Sequence, residues 1–275
     1  MKSNHHSRLR SLFAVSLATS LAFAASSQAA FVSYYVGTDS LTTLVSGIHA
    51  GLPNPNAGRL TFLYAHTYTA TPAINHYHSR GAFRYTGPNL GADTVIVMNP
   101  NNYVPEGALP PLQLTFASGG LYNGKMISAP EVGNPYSFLT IADTQQLSGF
   151  APGDPESILF NSSANRWNGM FTGADVHLEL VSLTPGLNVG STFTRNLFVD
   201  PGDDQRLGDA FNFTPTFWTE ANATPGLYEA VFKLTDDNNL FADSGNFRFR
   251  FNVIPEPSSA LLGALGALAL LRRRR

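Results

Sequence analysis

Two histidines separated by one residue, in His76-Tyr77-His78, are the strongest chemical signal in this chain. On a strand such a pair projects from one face about 7 Å apart at the backbone, near enough for both imidazoles to reach one ion. His66 lies upstream across Thr71-Pro72, a turn-like connection that could fold its strand back beside the pair. Strand parity puts Arg80 and Arg84 with the histidines, and Tyr77, Phe83 and Tyr85 on the other face. The histidine face therefore reads as the polar one, although Gly81 can shift the parity. Ordinary surface histidines would give the same spacing, and that alternative stays open.

Asp175-Val176-His177-Leu178-Glu179-Leu180 is a second candidate, with three possible ligands on one face and three apolar residues on the other. Any half-exposed strand displays this alternation, so it is weaker alone. A zinc site needs three or four N/O ligands within ~2.0–2.2 Å of one point, usually from more than one strand. If the strands of His66, His76 and His78 meet that of His177, the condition is satisfied, and these four are the expected ligands. His49, between Ile48 and Ala50, is a spare of lower rank. Asp200-Pro201-Gly202-Asp203-Asp204 and Asp236-Asp237-Asn238 could hold calcium. Neither has the EF-hand spacing, and turn formation is the stronger reason for such residues. For catalysis there is little: no nucleophile elbow, no His-Glu-x-x-His, no phosphate loop with Lys and no cysteine, so an enzyme is not expected.

Strands must position these residues. From about residue 30 to 252 the apolar spacing is mostly two, and long helical periods are missing, which predicts strands. The clearest is Phe247, Phe249, Phe251 and Val253 alternating with Arg248, Arg250 and Asn252. Tyr228, Ala230, Phe232 and Leu234 alternate just before it, and the Asp/Asn/Gly-rich stretches between predict a long-looped hairpin. Further strands are expected near 31–37, 59–66, 81–86, 93–98, 111–117, 175–183, 191–199 and 211–217. The expected fold is all-β: an antiparallel β-sandwich, one domain or two fused halves, flanked by an N-terminal signal helix and a short hydrophobic C-terminal helix.

The composition of the 275 residues agrees: 43% hydrophobic, 13% charged, no cysteine, and 24 glycines with 18 prolines, a turn-rich globular pattern. The net charge of −2 conceals a terminal bias. Removing Lys2, Arg8, Arg10, Arg272, Arg273, Arg274, Arg275 and Glu256 from totals of 17 basic and 19 acidic residues leaves 10 against 18. A domain this acidic is a poor partner for nucleic acid, which is bound through Lys/Arg contacts to phosphate, and is mildly favourable for cations.

The two ends read as addresses. Residues 1–29 hold a basic start, an apolar stretch from Leu12 to Ala25, and Ser27-Gln28-Ala29, the order of a secretory signal peptide cut by signal peptidase. Residues 253–275 hold Pro255-Glu256-Pro257, an uncharged stretch from Ser258 to Leu271, and four arginines. Fourteen residues make a helix of only about 21 Å, short of a ~30 Å hydrocarbon core, so a transient anchor fits better than a permanent span. This tail resembles the PEP-CTERM sorting signal. The resemblance implies removal of the tail by an exosortase in a Gram-negative bacterium, transient inner-membrane anchoring, and delivery to the cell surface or exopolysaccharide matrix. With the arginines held on the cytoplasmic side, the domain at 30–252 faces outward.

Within that domain, Tyr34 to Leu41 (YYVGTDSL), Gly51 to His66 (GLPNPNAGRLTFLYAH) and Asn75-His76-Tyr77-His78 together resemble the Zur-repressed PEP-CTERM proteins. Val181 to Leu187 and the region from Pro225 to Val253 extend the similarity over most of the domain. That resemblance implies synthesis under zinc limitation, which makes His66, His76, His78 and His177 the leading ligands. Two functions follow as expectations. One is a surface or matrix protein that binds or buffers zinc, whose histidines converge. The other is a structural or adhesion module of the exopolysaccharide matrix without a metal site, whose aromatics, such as Trp167 or Trp218, stack on sugar.

Overall fold

Phe247, Phe249, Phe251 and Phe232 are all fully buried, and they organise the molecule in the way their period of two demands. The computed structural model describes residues 32–88 and 94–254 together with Arg272. The expected signal helix and the helix of the sorting segment lie outside the described residues.

Among the described residues, sixteen strands follow in chain order. They are β1 (Tyr34–Thr38), β2 (Leu60–His66), β3 (His76–Arg80), β4 (Phe83–Thr86), β5 (Val95–Met98), β6 (Tyr103–Val104), β7 (Leu112–Phe116) and β8 (Lys125–Ser128). The second half holds β9 (Ile141–Asp143), β10 (Val176–Leu183), β11 (Asn188–Gly190), β12 (Asp204–Gly208), β13 (Asn212–Phe213), β14 (Thr216–Glu220), β15 (Gly226–Asp236) and β16 (Phe247–Val253). One sheet has the order β13-β9-β1-β2-β3. The larger one runs β11-β14-β8-β7-β16-β15-β10-β12, with β6 also paired to β16, while β4 and β5 form a separate ribbon. The fold is all-β, and the described strands belong to one compact unit. Pairing is mostly antiparallel; β1 with β9, and β16 with β6 and β7, are parallel.

The predicted hairpin is present, with Phe232 opposite Phe247, Ala230 opposite Phe249 and Tyr228 opposite Phe251. Its apolar face packs on the smaller sheet: Phe62 stacks on Phe247 with ring centroids 4.1 Å apart, and Tyr34 meets Phe249 edge to face at 5.9 Å. Burying each such side chain contributes roughly 1.5–3 kcal/mol, so this aromatic layer is a principal tie between the sheets. The outer face of the smaller sheet is covered as well, because Tyr35, Leu63, Ala65 and Tyr77 pack with Leu159 and Trp167.

Two expectations on strands fail for local reasons. Residues 191–199 form no strand: the Ser191 hydroxyl accepts from the amides of Phe193 and Thr194, closing a loop that leaves Phe193 exposed. Strands β6, β8, β9, β11 and β12 were not foreseen; in β12, Asp204-Gln205-Arg206-Leu207-Gly208, a single apolar residue gives no period to read.

Candidate metal centre

His66 and His76 face each other as the last cross-strand pair of β2 and β3, and His78 follows opposite Tyr64. Residues directly opposite in an antiparallel pair point to the same face. His66, His76, His78 and Arg80 therefore share a face with Phe62 and Tyr64, which belong to the core between the sheets. The polar residues of this strand thus continue the face that meets the other sheet. The opposite face carries Tyr77, buried against Tyr35 at 5.6 Å between ring centroids. The apolar layer between the sheets ends beyond Tyr64 in a polar layer, and the three imidazoles form it.

Gly81 separates this group from β4. Its φ of +64° suits glycine, and an added Cβ would stand 2.4 Å from the carbonyl oxygen of Gly245. The backbone turns there, so Arg84 goes to the β4–β5 ribbon and only Arg80 accompanies the histidines.

The three rings are close enough to share an ion: one ligand atom from each of His66, His76 and His78 lies within 4.8 Å of the others. A tetrahedral zinc with Zn–N of ~2.0–2.1 Å sets nitrogens about 3.3 Å apart, so modest side-chain adjustment closes the trio. His66 stacks on His78 with ring centroids at 4.1 Å and on His76 at 5.3 Å.

Glu106 arrives from the segment after β6, which pairs with the larger sheet, so the site lies where both sheets contribute. Its Oε1 accepts from His66 Nε2 at 3.0 Å, from Arg80 Nη2 at 2.9 Å and from His78 Nδ1. Arg80 is buried and also donates from Nε to the carbonyls of Tyr103 and Pro105, at 2.8 and 3.0 Å. It thereby fastens the segment that presents Glu106. The guanidinium that strand parity set among the histidines is neutralised by that carboxylate.

These contacts fix the tautomers. Backbone oxygen and carboxylate oxygen only accept, so His76 carries its proton on Nδ1, donating to Ile74 O at 2.7 Å, and neutral His78 carries its own on Nδ1 toward Glu106. Both Nε2 atoms are then lone-pair acceptors, and they stand 3.0 Å apart. Two lone pairs at that separation repel unless a cation lies between them. Burial holds the His78 pKa below its ordinary value despite Glu106, with His66 and His76 acting in the same direction. Burial acts to raise the Glu106 carboxyl, but hydrogen bonds from His78 and His66 and the charges of His78 and Arg80 outweigh it and hold it below the usual carboxylate range. An ionised carboxylate receiving the outer N–H of a ligating histidine is a common support of a metal centre. The donor set thus fits a zinc-class ion.

His177 does not join this group, which corrects the four-histidine expectation. It lies on β10 in the larger sheet, among Asp175, Asp204 and Asp237. Its strand alternates as read, with Val176, Leu178 and Leu180 buried; Glu179 turns to Lys233 at 3.0 Å. His49 is also apart, with Nε2 at 3.2 Å from Gly87 O. Within the calcium candidates, Asp203 and Asp236 serve their own turns. Asp203 accepts from the amides of Val199 and Asp200, and Asp236 from those of Asp175, Asn238, Leu240 and Phe241. Both tryptophans are buried, Trp167 at 3% and Trp218 at 6% exposure, so neither offers a face for sugar. Glu106 was missed because nothing in its spacing relates it to the histidines; its only signal was being one carboxylate in an acidic domain.

Compared with family models, curated proteins and solved structures, the chain matches none.

Proposed function

We propose that this chain is an exported surface or matrix protein that binds or buffers zinc through His66, His76 and His78, with Glu106 as the outer carboxylate partner of His78. The observation that carries the reading is the pair of Nε2 atoms 3.0 Å apart, each left as an acceptor by the partner of its own Nδ1. Three imidazoles suit zinc among the common divalent ions, and placement at the half-buried rim leaves an ion accessible for uptake and release. Export and exosortase processing rest on the two terminal segments. A link to zinc limitation rests on the resemblance to Zur-repressed proteins. The matrix-adhesion alternative loses Trp167 and Trp218 to the core.

Titration calorimetry of the full chain with Zn2+ tests this. The wild type takes up a tight equivalent that the His76→Ala/His78→Ala variant loses while keeping its β-sheet circular dichroism. Equal zinc uptake by the two proteins overturns the reading.

A further inference from the structure

His177 is nine-tenths buried, yet neither ring nitrogen has a hydrogen-bond partner. A buried polar group left without a partner is costly, and this one is surrounded by carboxylates from three strands' ends. Asp204 Oδ1, at the start of β12, lies 3.2 Å from Nδ1. On the other edge of the ring, Asp175 Oδ1, just before β10, and Asp237 Oδ2, just after β15, lie 3.7 and 3.5 Å from Nε2. The backbone holds these ends together, since the Asp237 amide donates to Asp175 O at 3.1 Å. Among the described residues the one cation on the cluster is Arg206, whose Nε donates to Asp175 Oδ1 at 2.6 Å and whose side chain is 68% exposed. Lys233, the nearby cation of β15, is taken by Glu179 and Asp243.

We propose that His177 Nε2, Asp175 and Asp237 form a second divalent-cation site, with Asp204 taking the Nδ1 proton and so turning the Nε2 lone pair toward the ion. This is the division of labour seen when a metal-bound histidine gives its outer N–H to a carboxylate. The Asp175 and Asp237 oxygens are each near Nε2 but not within 4.8 Å of each other, and Asp237, which is exposed, closes the set on the ion by side-chain rotation. One nitrogen with two carboxylates is a harder donor set than three imidazoles, so the site takes Mn2+ as well as Zn2+, with Mn2+ the weaker of the two. It is independent of the histidine trio and does not rest on the zinc reading above.

The test uses the full chain with His66, His76 and His78 all changed to Ala, titrated with Mn2+ and followed by loss of the free-ion electron paramagnetic resonance signal. One equivalent of Mn2+ is bound, and Asp237→Asn, a surface change that leaves the fold intact, weakens it at least ~10-fold. His177→Ala abolishes it. The proposal is overturned by no uptake up to about 1 mM Mn2+, the weak end of extracellular cation sites, or by uptake that Asp237→Asn leaves unchanged. Failure of the zinc reading would show separately, as equal Zn2+ uptake by the wild type and the trio variant.

Discussion

Arg80 and Glu106, 26 residues apart in the chain, meet through an Nη2–Oε1 contact of 2.9 Å that joins the edge strand of one sheet to a segment of the other. Arg80 is 4% exposed and Glu106 19%, so the pair is largely removed from water and each charge depends on the other. Breaking a buried pair from one side typically costs 3–5 kcal/mol. Arg80→Ala therefore lowers unfolding free energy by about that amount, read as a shift in urea midpoint, and Zn2+ affinity falls with it because Glu106 loses its anchor.

Glu106→Gln separates orientation from charge. The amide oxygen can still accept from one histidine, but the negative charge that stabilises a metal-bound imidazole is gone. Zn2+ affinity is expected to drop ~10–100-fold in calorimetry, with the circular dichroism spectrum unchanged. An unaltered affinity would show that Glu106 plays no part in the site.

Gly81→Ala probes the bend that parts the histidine strand from β4. At φ +64° a side chain is disfavoured, and the new Cβ would overlap Gly245 O. The Gly81–Gly245 backbone hydrogen bond makes that overlap hard to relieve. Loss of about 1–3 kcal/mol is expected, measured by thermal unfolding.

Asp236 gives a pH dependence with a definite sign. Burial acts to raise its carboxyl, but the amides of Asp175, Phe241, Leu240 and Asn238 outweigh it and hold the pKa below the ordinary value. A depressed folded-state pKa means stability that is fully present above the unfolded value of ~3.9 and lost as pH falls through the lower folded value. Urea midpoints should fall steeply below about pH 4, and Asp236→Asn should flatten that part of the curve while lowering stability at neutral pH.

Local pattern was enough for the strands that carry an apolar face. The period of two in Phe247 to Val253 and Tyr228 to Leu234 fixed both strands and their pairing, because alternation is itself the consequence of burying one side of a pleated sheet. It was enough too for the i, i+2 geometry of His76 and His78 and for the turn that returns His66 beside them. Strands such as β12, which no apolar run marks, are held by neighbours rather than by their own composition.

Which face of β3 looks inward was decided only by tertiary packing. Both faces of the smaller sheet are covered, so polarity along one strand could not tell the side that meets the other sheet. Long-range pairing likewise brought Glu106 to the imidazoles through β6 and Arg80, and sent His177 to three aspartates in the other sheet. Sequence determined what each strand could offer; the stacking of two sheets decided which offers meet, because that depends on strand order, and strand order leaves no trace in local spacing.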